Sequence, residues 1–454
     1  MRDTADVVDN ADTPTQPNIQ TSIPADAGAH AGSCMFCGEP LRHTFADLGM
    51  TPMSNAYVPA EAQRQMEPFY PLHAYVCGKC LLVQLEEYET PENIFSDYAY
   101  FSSYSDTLLR HASDWCDAAT RRFGLDENSL VVEVACNDGY LLKNFIAKNI
   151  PVHGVEPAAN VAEVARDLGI PVTVEFFGEK TAKAMAQQGL SADLMSANNV
   201  VAHIPDINDF VEGFRVLLKP DGVATFEFHH VLQLIRNKAF DTIYHEHFCY
   251  HSLSTFSKIL EAHGLEVFDV EELTTHGGSL RVFARHLGNN AHPISERVAA
   301  LLEKERAFGL LDLDTYTRFA SLIRDVKFDA LGYLIEARKQ GKRIVAYGAP
   351  AKGNTLLNYF GIGPDIIEYT VDRSPHKQGH LLPGTRIPIH APEKLRETRP
   401  DIVVILAWNL VDEIIEQVSY VYEWGGRFIT LTPRVREIES TVEHRQTGHD
   451  RNIA

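Results

Sequence analysis

The sequence predicts an α/β protein, with a small cysteine-rich module ahead of two α/β domains. Three observations carry this reading. Two Cys-x-x-Cys pairs stand near the N-terminus, strand-like and helix-like apolar runs alternate from Leu130 onward, and the same alternation restarts at about residue 341. Strands alternating with helices imply a mostly parallel sheet covered on both faces, and ligands of such sheets bind at the carboxyl ends of the strands.

The totals narrow the function classes. At 454 residues the chain is long enough for about two to four domains. A hydrophobic content of 45% supports a sizeable core, and the formal charge of −20 argues against a nucleic-acid binder, which needs a basic surface. No apolar run is long enough to span a bilayer, and the N-terminal stretch has neither the basic nor the apolar region of a secretory signal. Residues 1–31 read as a disordered extension and 437–454 as a flexible tail. Seven cysteines in a chain this long are no disulfide framework, so a cytoplasmic location is expected.

The first module, 32–92, holds Cys34 and Cys37 in "SCMFCGEP" and Cys77 and Cys80 in "YVCGKC". Each pair offers two thiolates to one ion, and together they supply the four ligands of a closed, structural zinc site in a ribbon-like module. Gly38 and Gly78 suit the tight turns. Two unrelated reduced pairs, or a redox dithiol, are the competing readings.

The next domain, 93–292, opens its sheet with "LVVEVACNDGYLLKNFIAKN", a buried strand, a turn and a helix. "PVHGVEP" is a second strand ending at Glu156, "ADLMSANNVVAHIPD" a third with a polar end, and "DFVEGFRVLLKPDGVATFEFHHV" a helix, a Pro-Asp-Gly turn and a strand. The unusual residues fall at the strand ends: Asn137, Asp138, Gly139, Glu156, Asn198, Asn199 and His203. Small and polar residues after the first strand let backbone amides approach a ligand. Glu156, 23 positions beyond Glu133, suits the two hydroxyls of a ribose. The pattern fits an adenosine-containing cofactor, and the lack of a full G-x-G-x-x-G disfavours NAD.

A helical stretch, about 293–340, leads into a second α/β unit at 341–434, and together they form a C-terminal domain placed at 293–436. "AYGAPAKGNTLL" sets Gly348, Lys352 and Gly353 at a strand-to-helix turn, with Asn354 opening the helix; amides and an ammonium there suit a diphosphate. Trp408, in "LAWN", ends a further strand, where core packing competes with ligand contact. The densest chemistry lies in "FDTIYHEHFCYHSLS", where Tyr244, His245, Glu246, His247 and His251 crowd a short span. In a strand, Tyr244 and Glu246 would share a face; in a helical turn, Tyr244 and His247 would. The sequence leaves both open. His245 and His251 are expected in solvent or on backbone groups.

From Ser33 to Pro433 the chain resembles the S-adenosylmethionine-dependent sugar C-methyltransferases of deoxysugar and antibiotic biosynthesis. The resemblance rests on the cysteine pairs, "DYAYFSSYS", "CNDGYLL", "FDTIYHEHFCYHSL", "THGGSLRVF", "YGAPAKGNTLLNYF" and "LAWN". It implies a zinc module, a class I (Rossmann-like) methyltransferase domain and a Rossmann-like C-terminal domain that holds the nucleotide sugar. It implies methylation at C3 of a nucleotide-linked, typically thymidine-diphosphate-linked, 4-keto-6-deoxyhexose, by a monomer bound to neither nucleic acid nor membrane. His247 becomes the candidate base, with Tyr244, Glu246, Tyr98 and His203 completing the site. Glu133, Ala135, Asn137, Asp138, Gly139, Glu156, Asn198 and Asn199 become the cofactor set, and Lys352, Gly353, Asn354 and Trp408 the substrate-domain set. Ala135 departs from the family, which usually has glycine there, and "FEFHHV" also varies among relatives.

The chemistry demands such a set. The C3 proton lies beside a ketone, so its removal needs a base near C3 and donors near O4, where the enolate charge collects. A glutamate beside the imidazole can fix its orientation. Competing readings are a methyltransferase of the same build acting on another keto substrate, on oxygen or on nitrogen, a zinc-ribbon nucleic-acid binder, and a catalytically silent nucleotide-sugar-binding protein. The intact Tyr244, Glu246 and His247 favour carbon chemistry.

Overall fold

The computed structural model describes residues 32–90, 103 and 106–439. The expected N-terminal extension, Tyr98 and almost all of the expected C-terminal tail lie outside the described residues.

The zinc module contributes β1 (His43–Thr51), β2 (Tyr70–Val76) and β3 (Val83–Leu85). After α1 (Asp106–Phe123) come β4 (Val131–Val134), β5 (Val152–Val155), β6 (Val172–Thr173) and β7 (Ala192–Asn198). Helix α2 (Ile207–Leu217) leads to β8 (Leu218–His229), then to the short β9 (Cys249–Tyr250) and to α3 (Leu253–Ala262). A hairpin, β10 (Leu265–Leu273) and β11 (Ser279–His286), completes the central sheet. Its order is β6-β5-β4-β7-β8-β11-β10, parallel from β6 to β8 and antiparallel in the last two pairings. The order reverses at β4 and β7, so the crevice lies over the ends of those strands and their neighbours.

Two local expectations give way. The helix expected after "CNDGYLL" is only Lys143–Ile146, because the chain needs the preceding residues for a tight loop. The Pro-Asp-Gly turn is a bulge within a continuous strand: the register steps from Ala192↔Leu218 to Leu194↔Val223, leaving Lys219–Gly222 outside the ladder. Pro220 has no N–H to donate, which makes a bulge its natural place in a strand.

Helices α4 (Glu296–Phe308) and α5 (Phe319–Lys339) fill the expected helical stretch. The C-terminal sheet follows, with β12 (Ile344–Tyr347), α6 (Ala351–Phe360), β13 (Thr370–Val371), β14 (Ile389–His390), β15 (Ile402–Ile405), β16 (Arg427–Thr430) and β17 (Arg436–Ile438). Its order is β14-β13-β12-β15-β16-β17, with only the last pairing antiparallel. The sheet thus runs to Ile438, past the boundary expected at 436. Helix α6 opens at Ala351 with Pro350 before it, so Lys352, Gly353 and Asn354 belong to its first turn and Asn354 does not open it.

The three units share cores. One cluster joins Phe45, Leu72 and Val83 of the zinc module to Phe240, to Tyr316 and Phe319, and to Ile344 and Ile402. Phe45 stacks on Phe319 at 4.5 Å between ring centroids. The zinc sheet also takes a fourth strand from the central domain: β9 pairs with β3, Cys249 opposite Gln84 and Tyr250 opposite Val83.

Candidate active site and metal centre

The four thiols converge as the spacing predicts. The Sγ atoms of Cys34, Cys37, Cys77 and Cys80 all lie within 4.8 Å of one another, with Cys34–Cys80 at 3.5 Å and Cys37–Cys77 at 3.6 Å. A tetrahedron with zinc–sulfur bonds of about 2.3 Å has edges of about 3.8 Å, so these separations fit one zinc ion. The backbone amides of Lys79 and Cys80 point at Cys77 Sγ, and Gln84 Nε2 donates to Cys34 Sγ at 3.2 Å. All seven cysteines are free of disulfides. Among the described residues no other cluster of histidine, cysteine or carboxylate groups has metal-binding geometry.

The Tyr244–His247 segment is a turn: His247 N donates to Tyr244 O at 2.8 Å, which puts the two side chains on one side. His247 Nδ1 lies 2.9 Å from Thr242 O, and Tyr244 Oη lies 2.8 Å from His247 Nε2. A carbonyl can only accept, so Nδ1 carries the proton and Nε2 keeps the lone pair that Tyr244 O–H meets. Burial holds the imidazole well below its usual pKa, with His203, His229 and His276 adding to the effect. His247 is therefore neutral at ordinary pH, with its basic nitrogen defined.

His203 packs edge-on against His247, 4.7 Å between ring centroids, and donates from Nδ1 to Glu246 O at 2.7 Å. Burial lowers its pKa to about 4. The Glu246 carboxylate does not orient the His247 imidazole; the Thr242 carbonyl does. Glu246 instead accepts from Asn55 Nδ2 at 2.7 Å, and burial raises its pKa to about 7 despite that bond. His245 and His251 are both buried rather than in solvent. His245 bonds the Pro71 carbonyl at 3.1 Å, and His251 Nε2 meets the Cys249 thiol at 3.0 Å.

Asn55 belongs to a loop that sequence reasoning passed over. Ser54 O accepts from Asn354 Nδ2 at 2.6 Å, Ser54 Oγ meets Thr355 Oγ1 at 3.3 Å, and Tyr57 Oη donates to Ala349 O. Thr355 Oγ1 also reaches Ile243 O at 3.1 Å. Ser54–Tyr57 thus clasps the Tyr244–His247 turn and the start of α6 together. Asn354 spends its amide on this clasp. Gly353 lets α6 approach β15, since a Cβ there would lie 3.0 Å from Leu406 Cβ.

At the other end of the crevice, the loop after β4 has left-handed backbone at Ala135 (φ 54°), Asn137 (φ 50°) and Gly139 (φ 78°). Glu156 accepts from Asn137 N at 3.0 Å and from Ala158 N at 2.9 Å, binding the first and second strand ends together. Glu133 and Asp138 are buried, each with one carboxylate oxygen lacking a hydrogen-bond partner: Glu133 Oε2 and Asp138 Oδ1. Burial, aided by Glu156 and Asp138, pushes the Glu133 carboxyl well up. Asn198 accepts from Ser196 Oγ at 3.1 Å, and Asn199, at φ 58°, donates from its amide to Glu227 O. Two buried acids with an unpartnered oxygen each, beside Glu156, fit a ligand that brings an ammonium group and ribose hydroxyls, as S-adenosylmethionine does.

Lys352 faces the central domain. It donates to Asn409 Oδ1 and sits 4.8 Å from the Trp408 ring centroid, and burial lowers its pKa to about 8. Trp408 Nε1 donates to Asp241 Oδ2 at 2.6 Å, so this tryptophan joins a polar cluster rather than an apolar core. Asp241 went unnoticed in the sequence although it stands in the same motif as His247.

Comparison with known proteins agrees with this build. A zinc binding domain model matches residues 34–95, a methyltransferase domain model 108–270, and a C-methyltransferase C-terminal domain model 274–433. The C-methyltransferase NovU of Streptomyces niveus is 36% identical over 411 residues, covering 90% of this chain and 98% of NovU. A ubiquinone biosynthesis O-methyltransferase of Chelativorans sp. (strain BNC1) is 31% identical over 116 residues, 24% of this chain and 46% of its own. A solved S-adenosylmethionine-dependent methyltransferase from Clostridium acetobutylicum ATCC 824 gives a TM-score of 0.32 at 12% identity, over 40% of this chain and 92% of its own.

Proposed function

The chain belongs to the S-adenosylmethionine-dependent C-methyltransferases, and from that premise we propose that it methylates C3 of a nucleotide-linked 4-keto-6-deoxysugar. The observation that carries the reading is the Thr242–His247–Tyr244 chain of hydrogen bonds, which supports a neutral imidazole with a defined basic nitrogen. Carbon needs such a base because its proton must leave before it becomes a nucleophile, whereas an oxygen or nitrogen nucleophile needs less help.

In this reading His247 Nε2 takes the C3 proton, and Tyr244 O–H turns from Nε2 toward the O4 of the forming enolate. His203 and Tyr98 hold the neighbouring oxygens. Glu246 accepts from a sugar hydroxyl. Glu133, Asp138 and Glu156, with Ala135, Asn137, Gly139, Asn198 and Asn199 around them, hold S-adenosylmethionine. That cofactor supplies the electrophilic methyl group. Lys352 and Trp408 receive the nucleotide side of the substrate in the C-terminal domain. Gly353 and Asn354 act there through the shape and clasp of α6. The setting we infer is a cytoplasmic monomer in deoxysugar biosynthesis.

The test is incubation with S-adenosylmethionine and a panel of nucleotide-linked 4-ketosugars, followed by mass and NMR analysis of the product. His247→Asn should bind both ligands and fail to exchange the C3 proton with deuterated water. Normal turnover by this variant removes His247 as the base.

A further inference from the structure

Glu227 is a fully buried carboxylate that the proposed chemistry does not use. It stands near the end of β8, between Asn198 of β7 on one side and Arg281 of β11 on the other. Side chains from three elements meet its two oxygens. His111 Nε2 of α1 lies 2.9 Å from both, Arg281 Nη2 donates to Oε2 at 2.8 Å, and Thr275 Oγ1 donates to Oε1 at 3.3 Å. An ionised carboxylate can only accept, so His111 Nε2 carries a proton; the Arg281 guanidinium, 3.1 Å from the same nitrogen, serves the carboxylate beside it. Burial works against the ionised form, yet His111 and Arg281 hold the Glu227 carboxyl below its usual range. Arg281 is itself fixed, 4.2 Å over the Trp115 ring and 3.4 Å from Glu271.

The two remaining partners lead to different ligands. His111 stands where α1 enters the core: Ala112, Trp115, Cys116 and Ala119 beyond it are buried. Ahead of α1, Ser103 N donates to Asp138 Oδ2 at 3.0 Å, while Asp138 Oδ1 is buried without a partner. A cofactor that takes up Oδ1 therefore fixes the acid on which the approach to α1 rests. The backbone of Glu227 touches the cofactor set as well, since Asn199 N donates to Glu227 O at 2.7 Å. Thr275 leads the other way. Its carbonyl accepts from Gly278 N at 2.9 Å and from Ser279 Oγ at 3.1 Å, which shapes the turn Thr275–Gly278. A Cβ on Gly277 would strike the Trp408 ring, so this turn packs on a residue assigned above to the nucleotide side.

Resting on the nucleotide-sugar reading above, we propose that Glu227 is a positioning residue that joins the two ligand sites, so that S-adenosylmethionine and the nucleotide sugar each tighten the binding of the other. Cofactor on Asp138 settles the approach to α1. His111 then holds Glu227 in the geometry that also holds Thr275, and the turn is set for the nucleotide. Filling the nucleotide side first does the same in reverse, because the coupling between two sites is one free energy shared by both ligands. The pair of bonds thus favours the complex that holds methyl donor and acceptor together.

Calorimetry reads the coupling directly, with S-adenosylhomocysteine as one probe and thymidine or uridine diphosphate as the other. Each is titrated into the protein alone and into protein saturated with its counterpart. In wild type the affinity of each should rise about fivefold or more, by the same factor in both orders, the usual size for coupled sites. Thr275→Val removes the hydroxyl and keeps the shape, and His111→Phe removes the ring N–H at a partly exposed position. Both should lose most of the coupling factor, and Thr275→Val should bind each probe alone as wild type does. Thr275→Ser and His111→Gln keep a donor and should retain much of the factor, a rescue that a merely structural role would not give. Wild-type coupling in Thr275→Val overturns the proposal, as does its absence from a wild type that binds both probes; the sugar reading then stands. A wild type that binds neither diphosphate overturns both. If His111→Phe does not fold, Thr275→Val decides alone.

Discussion

Replacing Asn55 with alanine removes the amide that donates to Glu246 Oε1 at 2.7 Å. A hydrogen bond to a charged group contributes about 1.5–3 kcal/mol, so at about 1.36 kcal/mol per pKa unit its loss raises the Glu246 pKa by about one to two units. Burial already raises that carboxyl from 4.5 to about 7, and Asn55 is what restrains it. At pH 7.5 the ionised fraction should fall from about three quarters to about one quarter or less, given the shift just stated. The limb of the kcat/KM–pH profile that reports Glu246 should move upward by the same one to two units, whichever protonation state the reaction uses. A second readout needs no substrate. Because the folded-state pKa is raised, Glu246 contributes stability fully below its unfolded pKa of about 4.5, and that contribution is lost as pH rises through about 7. The variant loses it through a higher window, so its melting temperature should fall little relative to wild type at pH 5.5 and several degrees at pH 8.5. Superimposable rate profiles, with equal melting shifts at both pH values, would refute the account of Glu246.

Four further outcomes follow from the geometry. Metal analysis should find one zinc per chain, and Cys34→Ser or Cys80→Ser should lose metal and fold together, because binding at a closed site is folding free energy; a metal-free, fully active double variant would exclude a structural zinc. Glu156→Ala leaves the Asn137 and Ala158 amides without partners, so it should lower stability by about 1–3 kcal/mol per amide and weaken S-adenosylhomocysteine by calorimetry, whereas unchanged affinity would remove Glu156 from the cofactor site. Ala135→Gly relieves a left-handed alanine, and with the flexibility of glycine set against that gain it should change stability by about 0–1 kcal/mol upward, read by thermal unfolding; a clear loss would contradict the strain. Tyr244→Phe should keep both ligands and lose roughly 10²–10³ in rate, the usual effect of one oxyanion donor, measured in single turnovers.

How much of this was legible depends on how far apart the partners lie in the chain. The cysteine spacing, the alternating strands and the acidic Glu156 are local patterns, and each stands where its pattern implies. Residues 244–247 were ambiguous because four residues carry no usable periodicity; the turn follows from packing against Thr242 and Tyr244. Asn55 stands 191 positions from Glu246, and Ser54 stands 300 from Asn354. No local signal announces such contacts, and "TPMSNAY" reads as an ordinary loop. The orientation of His247 was assigned to a neighbouring carboxylate, as side-chain chemistry suggests, but a backbone carbonyl does the work, and carbonyls leave no trace in a sequence. The "KPDG" bulge shows the opposite error: strong turn residues were absorbed by a strand long enough to step around them.

The zinc sheet borrows its last strand, Cys249–Tyr250, from beyond the middle of the central domain. A ribosome releases the four cysteines long before that strand. Until it arrives, Val83–Leu85 is an open edge, the kind of surface on which unrelated chains pair. Closing it joins segments some 165 positions apart, a slow step for entropic reasons. The same step draws the segment Tyr244–His247 against the finished ribbon. The module therefore matures late, and the segment Tyr244–His247 is seated only when it does.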